Sequence, residues 1–292
     1  MKVLITGSNG QLGSEIKELA SDYENLECIF RDLPELDICD IKALTTCIVD
    51  ENINAVINCA AYTAVDKAEE NPVIAQQVNA KGVLNLVNAL KKVDGKLIHI
   101  STDYVFDGNH SQPYKESDPV SPIGVYGETK RAGELAVLSS SSIDAIVIRT
   151  SWLYSVYGNN FVKTMLRLGN DKKSIQVVSD QKGTPTFAKD LAKTCLDILS
   201  NTDSTSISKK GKIYHYSNEG VTSWYDFARA IMEISNIDCK VIPIETKDYP
   251  TQAVRPLYSV LDKSKITSDF KVTIPHWRDS LTNCIKKINH NS

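Results

Sequence analysis

Short, continuously apolar runs alternate along this chain with longer stretches in which apolar positions recur at helical spacing. Residues 2–6, 26–31, 55–60, 96–101 and 145–150 are β-branched or otherwise apolar runs of strand length. Between them, 11 to about 22, 40–51, 72–92 and 126–138 carry helical patterns, with Pro72 suited to a first helical turn and Asn71 to its cap. Strands without polar alternation are covered on both faces. Their alternation with helices predicts an α/β fold of Rossmann type, a doubly wound parallel sheet with helices on both sides. Beyond Thr150 the pattern loosens. Residues 160–168, 187–199, 224–234 and 277–288 read as helices, 212–217 as a strand, and the polar stretch 200–211 as an exposed loop. The expected organisation is a dinucleotide-binding domain over 1–150 and a smaller C-terminal α/β substrate-binding domain over 151–292. Segments near 187–218 are expected to return to the first domain.

Two junctions carry chemistry. The first strand runs directly into Gly7-Ser8-Asn9-Gly10-Gln11-Leu12-Gly13. In this spacing the first glycine permits a tight turn, the second lets backbone approach a pyrophosphate, and the third lets helix and strand pack closely. The positive end of the following helix completes an anion site. Such a loop is weak on its own, but strand, loop and helix are all present here, which marks a dinucleotide cradle. The second junction pairs Ser101-Thr102-Asp103-Tyr104, at the end of a strand, with Tyr126 and Lys130, which lie one helical turn apart. A free phenol has a pKa of about 10, and a neighbouring ammonium is expected to draw it toward neutral pH, where proton transfer is efficient. Thr102 can donate a hydrogen bond to the same carbonyl oxygen. An isolated Tyr-x-x-x-Lys is usually a solvated lysine beside a half-buried tyrosine. Following a strand, and beside a dinucleotide cradle, it is reductase chemistry.

Composition narrows the partners. The chain has 292 residues and a net charge of −3, so it can bury a large core and presents no basic signal for nucleic acid or anionic membrane. No apolar run approaches the ~20 residues of a membrane span, and the first residues form a strand, not a signal peptide. Seven cysteines without a Cys-x-x-Cys pair read as reduced thiols in a cytoplasmic protein, with Cys59 a packed core residue.

Longer segments carry a resemblance that runs nearly end to end. They are Thr6 to Gly13, Val56 to Glu69, Ser101 to Gly108, Val125 to Lys130, Arg149 to Tyr154, Gly158 to Phe161, Asp180 to Thr186, and Arg255-Pro256. Together they resemble the extended short-chain dehydrogenase/reductase superfamily and, within it, the dTDP-4-dehydrorhamnose reductase family. The catalytic set marks the superfamily; the Thr63-to-Ala68 and Arg149-to-Trp152 segments are more specific to the family. The resemblance implies hydride transfer to C4 of a dTDP-linked 4-keto-6-deoxyhexose, the last step to dTDP-L-rhamnose in polysaccharide biosynthesis. It implies Tyr126 as proton donor, Lys130 on the nicotinamide ribose, Thr102 polarising the keto group and Asp103 on the sugar. Gly7, Gly10, Gln11, Leu12, Gly13, Asp37, Ile38, Ala60, Ala61 and Tyr62 would meet the cofactor. Trp152 would wall the sugar, a core aromatic being the competing reading. Asn159, Asn160 and Arg255 would serve the nucleotide end, although Arg255 could equally be a surface ion-pair partner.

Two departures from the family pattern bear on cofactor and metal. Where members that prefer NAD carry an acid after the second strand, this chain reads Phe30-Arg31-Asp32, and Arg31 could meet a 2′-phosphate. The expectation is NADPH, with NADH as the alternative. Some members bind Mg²⁺ between subunits through glutamates. Here Lys189 stands where one such glutamate would align and the tail is basic at Lys286 and Lys287. Hard cations want clustered oxygens, so no metal site is expected, and a monomer or homodimer follows. Competing functions on this pattern are a reductase or epimerase of another nucleotide-linked keto-sugar, and a non-enzymatic regulatory subunit like that of methionine adenosyltransferase.

Overall fold

The structure is a computed structural model describing residues 1–201 and 211–290. Its centre is a six-stranded parallel sheet made of β1 (Lys2–Thr6), β2 (Glu27–Arg31), β3 (Ala55–Asn58), β4 (Lys96–Thr102), β5 (Asp144–Thr150) and the strand Lys212–His215. From one edge the order is Lys212–His215, β5, β4, β3, β1, β2. The chain leaves β1 for β2 on one side and returns to pair β3 on the other. That reversal opens a crevice beyond the carboxyl ends of β1 and β3, where doubly wound sheets bind their ligands.

The period-two alternation of a strand explains the unbroken apolar runs. Val3, Ile5, Ile57, Ile98, Ile146 and Ile148 face one side, against the helices Gln11–Leu19 and Ala188–Ser200. Leu4, Val56, Leu97, Ala145 and Val147 face the other, against Ile41–Asp50 and Val83–Leu90. Both faces are covered by helices, so the strands are apolar over most of their length, and the polar side chains they do carry, among them Asn58, His99 and Arg149, are buried. Burying each such side chain contributes about 1.5–3 kcal/mol.

The stretch expected as one helix over 72–92 is more complex. A short helix, Val65–Glu70, precedes it; Pro72–Gln76 follows, then a π-helical turn over Gln77–Gly82, then Val83–Leu90. Pro72 stands at the first turn as its fixed φ suggests. Asn71 makes no side-chain cap; its Nδ2 donates instead to the carbonyl of Lys67 at 3.1 Å. The π-turn carries Asn79 into the interior, where its amide meets the backbone of Tyr62.

After β5 the chain builds a second core of Tyr154, Phe187, Phe227 and Trp277 among the helices Phe161–Asp171, Trp224–Ser235 and Trp277–His290. A parallel pair, Ser174–Val178 with Lys240–Ile244, went unread in the sequence: only part of the first strand is buried, and the second is interrupted by Pro243. The short helix Ser264–Phe270 was likewise missed. Ala188–Ser200 packs on Gln11–Leu19, and Lys212–His215 pairs with β5, so this segment lies with the central sheet. The loop expected over 200–211 falls largely outside the described residues. Lys189 and Lys287 both pair with Glu18, tying the last helix to the first. Among the described residues no helix is long and apolar enough to cross a membrane, and no three His, Cys, Asp or Glu side chains gather as a metal site.

Candidate active site

A cleft of about 830 Å³ opens over the carboxyl ends of β1, β3, β4 and β5. Its floor is the glycine loop. Gly7 holds a φ of +65°, and a Cβ there would lie 2.6 Å from the backbone nitrogen of Ala60, so only glycine lets β1 and β3 close on each other. Gly13 is equally crowded, since a Cβ would meet Cα of Ser8 at 2.5 Å; it sets helix against strand from behind the cleft. Gly7, Gly10, Gln11 and Leu12 line the cleft itself. Gly10 caps the helix with no side-chain hydrogen bond and the first turn carries no acid, so its positive end faces the cleft uncompensated. The cradle therefore fits a dinucleotide diphosphate.

Asp37, Ile38, Ala60, Ala61 and Tyr62 line the same cleft. Tyr62 is fixed by Asn79, whose Oδ1 accepts from the Tyr62 amide at 2.8 Å while its Nδ2 donates to the Tyr62 carbonyl at 3.1 Å and to Thr129 Oγ1 at 3.1 Å. Arg31 is not brought here. Its guanidinium turns to Glu51 at 3.2 Å, an ion pair that a sequence reading could not anticipate. Asp32 lines the cleft instead, held by the amides of Asn9 and Leu33 at 2.8 Å each.

Thr102, Tyr126 and Lys130 converge at the end of β4. Thr102 Oγ1 accepts from the amide of Tyr104 and donates to Asp103 Oδ1 at 3.0 Å. Lys130 Nζ is buried and donates to the Ile100 carbonyl at 2.6 Å. Burial draws Lys130 down to about 8, opposed by the nearby Glu134 carboxylate. The Tyr126 phenol departs from expectation: burial, aided by Asp103, pushes it up to about 12, only partly offset by a hydrogen bond with Thr102. Lys130, whose ammonium lies against the Ile100 carbonyl, does not offset that burial. A phenol that keeps its proton at neutral pH still suits a proton donor. Burial also raises Asp103 to about 7, and its Oδ2 has no partner.

The helix Val125–Leu138 brings these groups together. Its first amide, of Val125, donates to Glu69 Oε1 at 2.9 Å. A Cβ on Gly127 would lie 2.2 Å from the Tyr104 carbonyl oxygen, and one on Gly133 2.2 Å from that of Asn79. One turn below Lys130, Glu134 is wholly buried and accepts from Ser101 Oγ at 2.7 Å, from Arg149 Nε at 2.7 Å and from Arg149 Nη2 at 2.8 Å.

At the far end, Trp152 lines the cleft with a left-handed φ of +48° and stacks on Trp224 at 3.6 Å. It is thus both a cleft wall and part of an aromatic stack. Asn159 lines the cleft. Asn160 does not: its Oδ1 caps the helix Phe161–Asp171, and its Nδ2 donates to the Ser155 carbonyl at 2.7 Å and to Gln11 Oε1 at 3.1 Å. Arg255 lines a second pocket of about 330 Å³ with Phe161, Gln181, Trp224 and Tyr249; Tyr104 borders both spaces. Arg255 Nη2 donates to Asp66 at 2.6 Å, whereas its buried Nη1 has no partner. Sequence reasoning missed Asp32, Asn79, Glu134 and Trp224. For Asn79 and Glu134 the available signal was a polar residue at a position of a helix that should be apolar; Trp224 carried none beyond its type.

Comparison with known proteins decides the family. The RmlD substrate binding domain family model matches residues 1–290. The chain belongs to that family. It is 41% identical to a dTDP-4-dehydrorhamnose reductase of Aggregatibacter actinomycetemcomitans over 97% of each chain. Among solved structures, a dTDP-4-dehydrorhamnose reductase of Clostridium acetobutylicum superposes with a TM-score of 0.91 at 42% identity, covering 99% of this chain and all of that one. The Bacillus anthracis enzyme of the same name, in complex with NADP, has a TM-score of 0.91 at 37% identity over 98% of this chain and 99% of its own.

Two expectations follow from the seat of this helix. Gly127→Ala must push Tyr126 and Lys130 away from β4, and a misplacement of that order costs about a hundredfold in turnover; steady-state rates will check it, and near-normal kcat would contradict the packing. The Lys130 charge is lost as pH rises through about 8, so the rate profile should fall on that side. Glu134→Gln removes a carboxylate that supports the charge and should move the falling limb to lower pH; an unmoved limb assigns it to another group.

Proposed function

We propose that this chain reduces the C4 keto group of dTDP-4-dehydro-6-deoxy-L-mannose to give dTDP-L-rhamnose, using NADPH, with NADH as the alternative. The observation that carries the reading is the meeting of Thr102, Tyr126 and Lys130 beside the glycine cradle, with the second pocket adjoining them. Relatives named dTDP-4-dehydrorhamnose reductase match nearly the whole chain, and one of them holds NADP. When bound in the cradle, the reduced nicotinamide supplies a hydride to the sugar carbon.

The chain's own groups do the rest. Tyr126 keeps its proton until the keto oxygen becomes an alkoxide, a far stronger base than a phenolate, and then gives it up. The Thr102 hydroxyl turns from Asp103 to donate to the same oxygen as charge builds on it. Lys130 holds a positive charge beneath the site and steadies the phenolate left behind. Asp103 offers a buried, unpartnered Oδ2 to sugar hydroxyls. Arg255 offers a buried, unpartnered Nη1, which suits a diphosphate oxygen. The rings of Phe161, Trp224 and Tyr249 with the Gln181 amide suit a pyrimidine base. Seven unpaired cysteines support a cytoplasmic setting, and the chain would act as a monomer or homodimer.

The test is direct. Purified protein with dTDP-4-keto-6-deoxy-L-lyxo-hexose should consume NADPH, followed as loss of nicotinamide absorbance; no oxidation with this sugar sinks the substrate assignment. Tyr126→Phe should lower turnover by at least about 10²-fold while cofactor binding is retained. For cofactor choice, Asp32→Ser should lower the KM for NADPH relative to NADH, since a carboxylate at that place repels a 2′-phosphate. Arg31→Ala, with its side chain on Glu51, should leave the ratio within about twofold; a large selective loss with NADPH would restore Arg31 as the phosphate partner.

A further inference from the structure

Trp152 cannot hold its own position. Its backbone is in the left-handed region at φ +48°, which is strained for a non-glycine residue of this bulk. Four contacts hold it there. The Trp152 carbonyl accepts from the amide of Thr186 at 3.2 Å, and the neighbouring Ser151 hydroxyl donates to the Thr184 carbonyl at 2.8 Å. Beneath the ring lies Gly183, where a Cβ would stand 2.6 Å from the indole. The fourth contact is with Trp224: the two indoles stack at 3.6 Å between ring centroids and 11° between planes.

Trp224 is itself fixed. It opens the helix Trp224–Ser235, whose N-cap Ser223 accepts from the Asp226 amide at 3.0 Å, and its ring meets Phe161 at 4.6 Å. Ser223 and Thr222 pair with Lys182 and Gly183, so the strand that carries the glycine under Trp152 is joined to the start of the helix that carries Trp224. The two indoles face different spaces: Trp152 lines the cleft over Tyr126 and Lys130, and Trp224 lines the second pocket.

Resting on the reading that the cleft takes the keto-sugar and the second pocket its nucleotide, we infer that Trp224 is a positioning residue that sets substrate specificity, because its stacked indole transmits nucleoside occupancy of the second pocket to the Trp152 face against which the sugar is held. Binding energy from a remote part of a substrate raises turnover only when it is converted into orientation at the reacting centre. A rigid stack of two flat rings between the spaces performs that conversion. A base seated on Trp224 presses the stack from one side, and the sugar meets it on the other. A shorter substrate lacking the nucleoside would forgo that orientation and lose kcat as well as affinity.

The experiment is a double-mutant cycle on Trp152→Ala and Trp224→Leu, with the dTDP-keto-sugar and NADPH. Trp224→Leu should lower kcat by about tenfold or more and leave the KM for NADPH unchanged. Trp224→Phe, which keeps a flat ring, should recover most of the loss. In the Trp152→Ala background Trp224→Leu should lower kcat little further, since the ring it positions is gone. Three results would overturn the inference: a rise in substrate KM with kcat unchanged, additive losses in the cycle, or a lower Tm with normal kinetics. If Trp224→Leu does not fold, the cycle with Trp224→Phe carries the same comparison at smaller amplitude, and additivity there counts against it equally. Wild-type protein that fails to turn over the dTDP-keto-sugar overturns the functional reading and this inference with it. Wild-type turnover with a kinetically silent Trp224 overturns this one alone.

Discussion

The seat of the helix Val125–Leu138 on the end of β4 is the contact on which the site depends. Two glycines, Gly127 and Gly133, bring its backbone against the carbonyls of Tyr104 and Asn79, where any Cβ would collide at 2.2 Å. That closeness lets Lys130 reach the Ile100 carbonyl and sets Tyr126 beside Thr102. The same approach lets Asn79 grip Thr129 with one amide hydrogen bond and the cofactor-side loop at Tyr62 with two more. Tyr62, Tyr126 and Lys130 are therefore positioned by one packing event.

Beneath that seat lies a charge buried at some cost. Glu134 and Arg149 are almost fully excluded from solvent, and removing two ions from water carries a penalty of several kcal/mol per ion unless every donor and acceptor is matched. Here matching is extensive: Ser101 and Arg131 also donate to Glu134, and Arg149 lies over the Phe106 ring. Apolar residues would fill the space more cheaply. The pair instead joins the helix to β4 and β5 at a fixed register, one turn from Lys130, and its carboxylate supports the lysine's charge in a site that burial would otherwise neutralise.

The two spaces differ in chemistry. The cleft holds proton-transfer groups and a cradle of backbone amides; the second pocket holds flat rings, an amide and a half-satisfied arginine. Asp103 Oδ2 and Arg255 Nη1 are buried without a partner, which is costly for a polar group. The Trp152–Trp224 stack stands between the two spaces.

How much of this was legible in the chain depends on how far each interaction reaches. The sheet was readable because strands covered on both faces must be apolar throughout, and Gly7 to Gly13 was readable because tight turns and close packing demand glycine at fixed spacing. Thr102, Tyr126 and Lys130 stood out by type and by local position. Other features rest on partners remote in sequence. Arg31 was drawn to Glu51 and left the cleft to Asp32; Asn160 became a helix cap; the Tyr126 phenol rose through burial that Lys130, lying against a carbonyl, does not offset. The paired strands 174–178 and 240–244 escaped notice because each is only partly buried and finds its partner more than sixty residues away. Local sterics and hydrophobic periodicity wrote the elements of the central sheet, the cradle and the chemical types at the site into the chain. Only the tertiary structure decided which side chains face the cleft and what charge they hold there, because burial and pairing arise when distant segments meet.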